Sequence, residues 1–197
     1  NTTGIHNTAV GKTALSANTT GAYNIAVGNF ALEVNTTANA NVAIGYDSLG
    51  ACSTGTLNTA VGHESARLMT TGATNVAVGY LALGANTTAS NNIAIGANSL
   101  DAATTGGTNV AVGTNALSDL TTSTQNTAVG DNAAADVTTG NRNTCIGALS
   151  GEHGGNVLTT GAGNTLIGFG TVPSAASGTC QIVIAGQDLG GATTGKG

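Results

Sequence analysis

The sequence predicts an all-β fold, a single parallel β-solenoid of about eleven stacked 17-residue coils. Three observations predict it. One five-residue motif recurs at a fixed period, glycine marks the same point of every period, and the chain is built from small and β-branched residues with little charge.

The period comes first, because a missed repeat mis-assigns the whole fold. Asn-x-Ala-[Val/Ile]-Gly and close variants begin at Asn7, Asn24, Asn41, Asn58, Asn75, Asn92, Asn109, Asn126 and Asn143, each 17 residues after the last. The next copy begins at Asn164, a step of 21, and a decayed copy at Gln181. Such a unit is too short for a helical-hairpin repeat of about 34 residues or a propeller blade of about 40. It suits one solenoid coil with two short strands and two tight corners.

The motif supplies the first strand. Its alternate residues are β-branched, as in Ile25 and Val27, Val42 and Ile44, or Val110 and Val112, the period-two pattern of a half-buried strand. Gly11, Gly28, Gly45 and their equivalents end it at a corner. A leucine follows in most turns (Leu15, Leu32, Leu49, Leu83, Leu100, Leu117), replaced by Ala66 and Ala134, and is expected to plug the core. Thr-Thr pairs such as Thr19-Thr20 and Thr70-Thr71 are expected to form the second strand. With Val and Ile inward, Ala9, Ala26, Ala43, Ala60, Ala77, Ala94, Ala111 and Ala128 would form a smooth outward stripe, a candidate subunit contact. Residues 1–197 read as one repeat domain: regular coils over 1–147, then less regular coils over 148–197 with a four-residue insertion between Ser150 and Leu158.

Composition narrows the function. Charged residues are 7% of the chain against roughly 25% in an average soluble domain. With 31 Gly, no Trp and 3% aromatics, a core of large side chains cannot be built. Lys12, Arg67, Arg142 and Lys196 are the only Lys and Arg, so no basic footprint for nucleic acid exists. No apolar run approaches the ~20 residues of a membrane span, so membrane insertion is not expected. The chain opens inside a repeat without a visible signal peptide, as an excised segment would. Cys52, Cys145 and Cys180 occupy three different repeat positions and read as small-residue substitutions, not a disulfide or metal set.

The unit Asn-Thr-Ala-Val-Gly, then Ala-Leu and Asn-Thr-Thr-Gly, resembles the repeats of phage and giant-virus tail-fibre or surface proteins. It is also similar to the head repeats of trimeric autotransporter adhesins, whose Ser-Val-Ala-Ile-Gly motif matches Ile25 to Gly28 and Val42 to Gly45. The resemblance covers Thr2 to about Gly147. It implies a left-handed parallel β-roll, a homotrimer or filament of self-associated chains, and display outside a cell or on a virion. The 17-residue period is longer than the turns of adhesin heads, with the extra length near the Thr-Thr corner.

Candidate chemistry is sparse. His6, His63 and His153 sit at different repeat positions and read as exposed loop residues. Glu152, His153 and Asn156 of the insertion make no metal set, and no metal or other cofactor is expected. Asp119, Asp131 and Asp136 lack a calcium-roll pattern, although Asp131 and Asp136 are the nearest approach to the carboxylate pair of a glycan-cleaving enzyme. Neither a nucleotide-binding glycine loop nor a nucleophile elbow is present, so a non-enzymatic chain is expected. Three sequons, at Asn18, Asn35 and Asn86, share one column and are candidate glycosylation sites. Tyr46, Tyr80, Phe30 and Phe169 lie at or next to the first corner, where aromatics can stack on a glycan. A Thr ladder can bind ice, but adjacent threonines face opposite ways and leave one outward rank. The leading expectation is a structural and adhesive segment of an extracellular fibre that contacts a cell-surface glycan or receptor. The alternative is a ligand face for glycan or ice, using the Thr-Thr ladder or the corner aromatics.

Overall fold

A computed structural model describes residues 1–152 and 156–184. The described residues are all-β and contain eleven three-residue strands: β1 (Thr8–Val10), β2 (Ile25–Val27), β3 (Val42–Ile44), β4 (Thr59–Val61), β5 (Val76–Val78), β6 (Ile93–Ile95), β7 (Val110–Val112), β8 (Thr127–Val129), β9 (Thr144–Ile146), β10 (Thr165–Ile167) and β11 (Ile182–Ile184). They form one parallel sheet in sequence order, each strand beside the next coil's copy. Eleven strands bound about ten full turns of a β-solenoid. Register is strict: Ala26 pairs with Ala43, and Ala43 with Ala60. The 21-residue step is absorbed outside the sheet, since Thr144 still pairs with Thr165 and Leu158 returns to the core. His153 and Lys196 lie outside the described residues.

The strand faces the opposite way from the sequence expectation. Ala26, Ala43, Ala60, Ala77, Ala94, Ala111 and Ala128 are buried, and only Ala9, in the first coil, is exposed. The β-branched ranks point outward, with Ile44 and Ile95 each 39% exposed. The alanine stripe is therefore core and not a subunit contact. The reason is width. The leucine column and a further inward column (Met69, Leu120, Val137, Leu158) fill the coil from the far side, leaving room only for a methyl at the strand centre. Where the leucine shrinks, another inward residue grows. Ala66 shares its coil with Met69, and Gly151 shares its coil with Cys145.

The expected second strand is absent among the described residues. In its place a single-rank ladder runs down the first Thr column: Thr19 N–H donates to Thr36 O, Thr70 to Thr87 and Thr104 to Thr121, at 2.8–2.9 Å. Their hydroxyls donate to the same carbonyls. Coil-to-coil bonds continue around the corners, from Leu32 N–H to Ser48 O and from Asp47 N–H to Asn29 O. The backbone achieves this by placing left-handed residues at three positions of each coil. Phe30, Leu32 and Ala40 have φ of 65°, 48° and 56°. The motif glycine is different again. Gly45 has φ 135°, and a Cβ there would strike the Gly62 carbonyl, so both conformation and space require glycine.

The motif asparagine is the principal polar element of the core. Asn41 Nδ2 donates to Gly55 O at 2.8 Å, closing the corner of its own coil. Its Oδ1 accepts the backbone N–H of Asn58 at 2.9 Å. The pattern repeats at Asn58, Asn75, Asn92, Asn109, Asn126 and Asn143. All seven are buried. Each of these seven amides therefore satisfies one backbone group of its own coil and one of the next.

Candidate binding surfaces

Three outward surfaces carry distinct chemistry. The first is the sheet face. One rank is Thr8, Ile25, Val42, Thr59, Val76, Ile93, Val110, Thr127, Thr144, Thr165 and Ile182. The other is Val or Ile in all eleven strands. Strand neighbours stand about 4.8 Å apart and alternate residues nearly 7 Å apart, so the ranks form a regular β-branched lattice roughly 50 Å long, apolar except for the five threonines of the first rank.

The second surface is the first corner. Tyr46, His63 and Tyr80 occupy one position of three successive coils. The Tyr46 and His63 rings stack at 4.9 Å, and His63 lies 5.7 Å from Tyr80 at a tilt of 38°. Phe30 meets Tyr46 edge-on at 5.5 Å, and the Lys12 ammonium lies 5.7 Å from the Phe30 ring. His6 stacks on Tyr23 at 5.1 Å on another corner, so the described histidines form no cluster. Because the rings of the ladder cover one another, they offer edges more than faces to a ligand. The next residue of that column is Ala97, which carries no ring.

Beside this corner lies the third surface, a charged flank. Arg67 Nε is 3.3 Å from the Glu64 carboxylate, and His63 Nδ1 is 3.7 Å from the other Glu64 oxygen. Burial raises the Asp47 pKa above the ordinary carboxylate range; Arg67 opposes the rise, and Glu64 and Glu33 add to it. Burial likewise raises Asp101. Further along, burial and the charges of Asp136, Asp131 and Asp119 raise Glu152, so the scattered acids of the sequence do share one electrostatic environment. They include no group of three ligands able to hold a metal among the described residues.

The sequon column turns inward: Asn18, Asn35 and Asn86 are buried in the folded coil. Asn18 Nδ2 donates to Gly21 O at 2.9 Å, and Asn35 Nδ2 to Asn18 Oδ1 at 3.2 Å. Asn86 differs, because neither its Nδ2 nor its Oδ1 has a partner. The residues sharing this column, Cys52, Met69, Ala103, Leu120 and Val137, are also buried. Of each Thr-Thr pair only the second residue stands fully outward in most coils, a single rank as expected. Cys52 and Cys145 are buried thiols, pushed up to about 11 and about 12 by burial, whereas Cys180 is exposed.

Sequence reasoning missed the asparagine ladder, although the recurrence of Asn at the head of every motif copy before Gln181 was its signal. It also missed a notch at Gly84, signalled by one of two glycines, with Gly50, in a column that elsewhere carries side chains. No helix among the described residues is long and apolar enough to cross a membrane. No family model, curated protein or solved structure matches the chain.

Proposed function

We propose that this solenoid is a structural and adhesive segment of an extracellular fibre, on a virion or cell surface, built by self-association of the chain and without enzymatic activity. The observation that carries the reading is the outward sheet face. Two unbroken β-branched ranks run along all eleven strands, one of Val and Ile and one of Val, Ile and Thr, an ordered and largely apolar face of a size that often marks an interaction site. A face roughly 50 Å by 10 Å amounts to about 500 Å², the larger part of the ~800 Å² per partner of a standard interface. Two or three copies packing these faces together would bury it, and the resemblance to trimeric adhesin repeats favours three. The corners and the charged flank would then remain outside, displayed at regular intervals along a stiff rod.

Light scattering tests this directly. The expected mass is near three times 18.8 kDa. The double variant Ile44→Lys, Ile95→Lys places two charges on the face without touching the core, and is expected to give a folded monomer with an unchanged β spectrum. A polydisperse rod would replace the trimer by end-to-end assembly. A wild-type monomer at all concentrations would overturn the self-association reading. It would favour a second one, because the sheet face supplies what the Thr-Thr column lacks, two parallel outward ranks suited to ordered water. Thermal hysteresis of the monomer, lost in the same lysine variant, would then identify an ice-binding plane.

A further inference from the structure

On the charged flank, one column of the coil reads Ser16, Glu33, Gly50, Arg67, Gly84, Asp101 and Ser118. Two glycines interrupt it, and they differ. At Gly50 the Asp47 carboxylate folds into the space that a side chain would take. At Gly84 the atoms nearest a would-be Cβ are the Leu81 carbonyl oxygen and side chain, and no charged group fills the gap. An open depression of about 180 Å³ remains, lined by Arg67, Leu68, Leu81, Gly84, Ala85 and Asp101.

Arg67 belongs to the coil before Gly84 and Asp101 to the coil after. The notch is therefore flanked by a guanidinium and a carboxylate two rungs apart, roughly 10 Å along the rod. Arg67 only donates and ionised Asp101 only accepts, so between them they match a ligand whose polar groups do both. Leu68, Leu81 and Ala85 supply an apolar wall. Glu64 lies 3.3 Å from Arg67 Nε, yet that nitrogen makes no hydrogen bond, so the guanidinium still has a donor to offer.

These features select among ligands. An anion approaching Arg67 meets Glu64, Asp47 and Asp101 nearby, and a cation approaching Asp101 meets Arg67. An uncharged ring with hydroxyls on its rim and C–H groups on its face suits both the walls and the ends. We propose that the Gly84 notch binds one neutral pyranose unit of a surface glycan, held by Arg67 and Asp101 at opposite edges of the ring. As a receptor contact this rests on the fibre reading; as a sugar site it stands on the notch alone.

The test is saturation-transfer NMR on the full chain with the methyl glycosides of glucose, galactose, mannose, N-acetylglucosamine, fucose and glucuronic acid. At least one neutral glycoside is expected to bind with a Kd on the order of 1 mM. Gly84→Gln fills the notch with a side chain the size of Glu33, which the same column already accommodates, and should weaken binding at least tenfold. Asp101→Asn, the gentler variant, should weaken it several-fold. Circular dichroism and light scattering on both variants establish that fold and assembly are intact. Absence of transfer from all five neutral sugars, equal binding by Gly84→Gln, or preference for the glucuronide would each overturn the proposal. Loss of sugar binding in an intact trimer leaves the fibre reading standing, and sugar binding by a monomer leaves the notch standing.

Discussion

At the scale of single residues, the buried asparagines divide into two kinds with opposite consequences. Asn92 Nδ2 donates to Gly106 O at 2.9 Å, and its Oδ1 accepts the Asn109 backbone N–H at 3.0 Å. Asn92→Ala strips both backbone groups of their partner inside the core, where each orphan costs about 1–3 kcal/mol. A loss of about 2–5 kcal/mol is expected from the midpoint of urea unfolding. Asn86 is equally buried but satisfies nothing, since both amide atoms lack partners. Leu120 and Leu158 occupy its column in other coils, so Asn86→Leu should fit and raise the midpoint, by about 1–3 kcal/mol. Equal effects of the two substitutions would show that the ladder does not hold the coils. The motif made Asn86 look like part of a surface sequon because sequence records which residue recurs, not which way it points.

At the scale of the element, the coil shows which features a period can reveal. Strand, leucine plug and glycine corner were all legible, because each has one local signature: alternation, a fixed apolar residue, a glycine. The direction of the strand was not. Alternation of Val-Ala-Ile fits either face, and the choice was made by the width left between sheet and leucine column, a property of the closed coil. The second strand failed for a related reason. Thr-Thr has β propensity, but the corners run through left-handed residues that turn successive N–H and C=O groups along the rod axis. That device is costly for β-branched residues, and Thr108, exposed with φ 60°, carries the cost without contributing to the core. Gly163 already occupies the same column. Thr108→Gly is expected to stabilise the rod by about 1 kcal/mol, the relief of left-handed strain less the added freedom of the unfolded chain. Thr108→Val keeps the strain and should bring no gain. Thermal midpoints of the two variants separate the cases, and a destabilised glycine variant would mean that the corner is not strained.

At the scale of the whole molecule, stacking makes remote carboxylates a shared property of the rod. Asp47, Asp101 and Glu152 lie on different coils, and burial is the first cause that raises each above its ordinary value of 3.8 or 4.5. A carboxyl with a raised folded pKa binds its proton more tightly in the folded state than in the unfolded chain. Its stabilising contribution is full below the unfolded pKa and is lost as pH rises through the raised folded pKa. The three groups therefore make the solenoid more stable near pH 4 than near pH 7, the reverse of ordinary acid unfolding. The charges of Asp136, Asp131 and Asp119 add to the shift of Glu152 after burial. Salt at neutral pH should recover only the smaller, Coulombic part, because screening does not restore lost hydration. The measurement is the melting temperature from about pH 3 to pH 8 at one protein concentration, since assembly also shifts it. Glu152→Gln should flatten the profile by removing the carboxyl that burial and three neighbouring acids together raise. A melting temperature that falls steadily from pH 7 to pH 4 in the wild type would mean that these carboxylates are stabilised as ions by contacts absent from the coil.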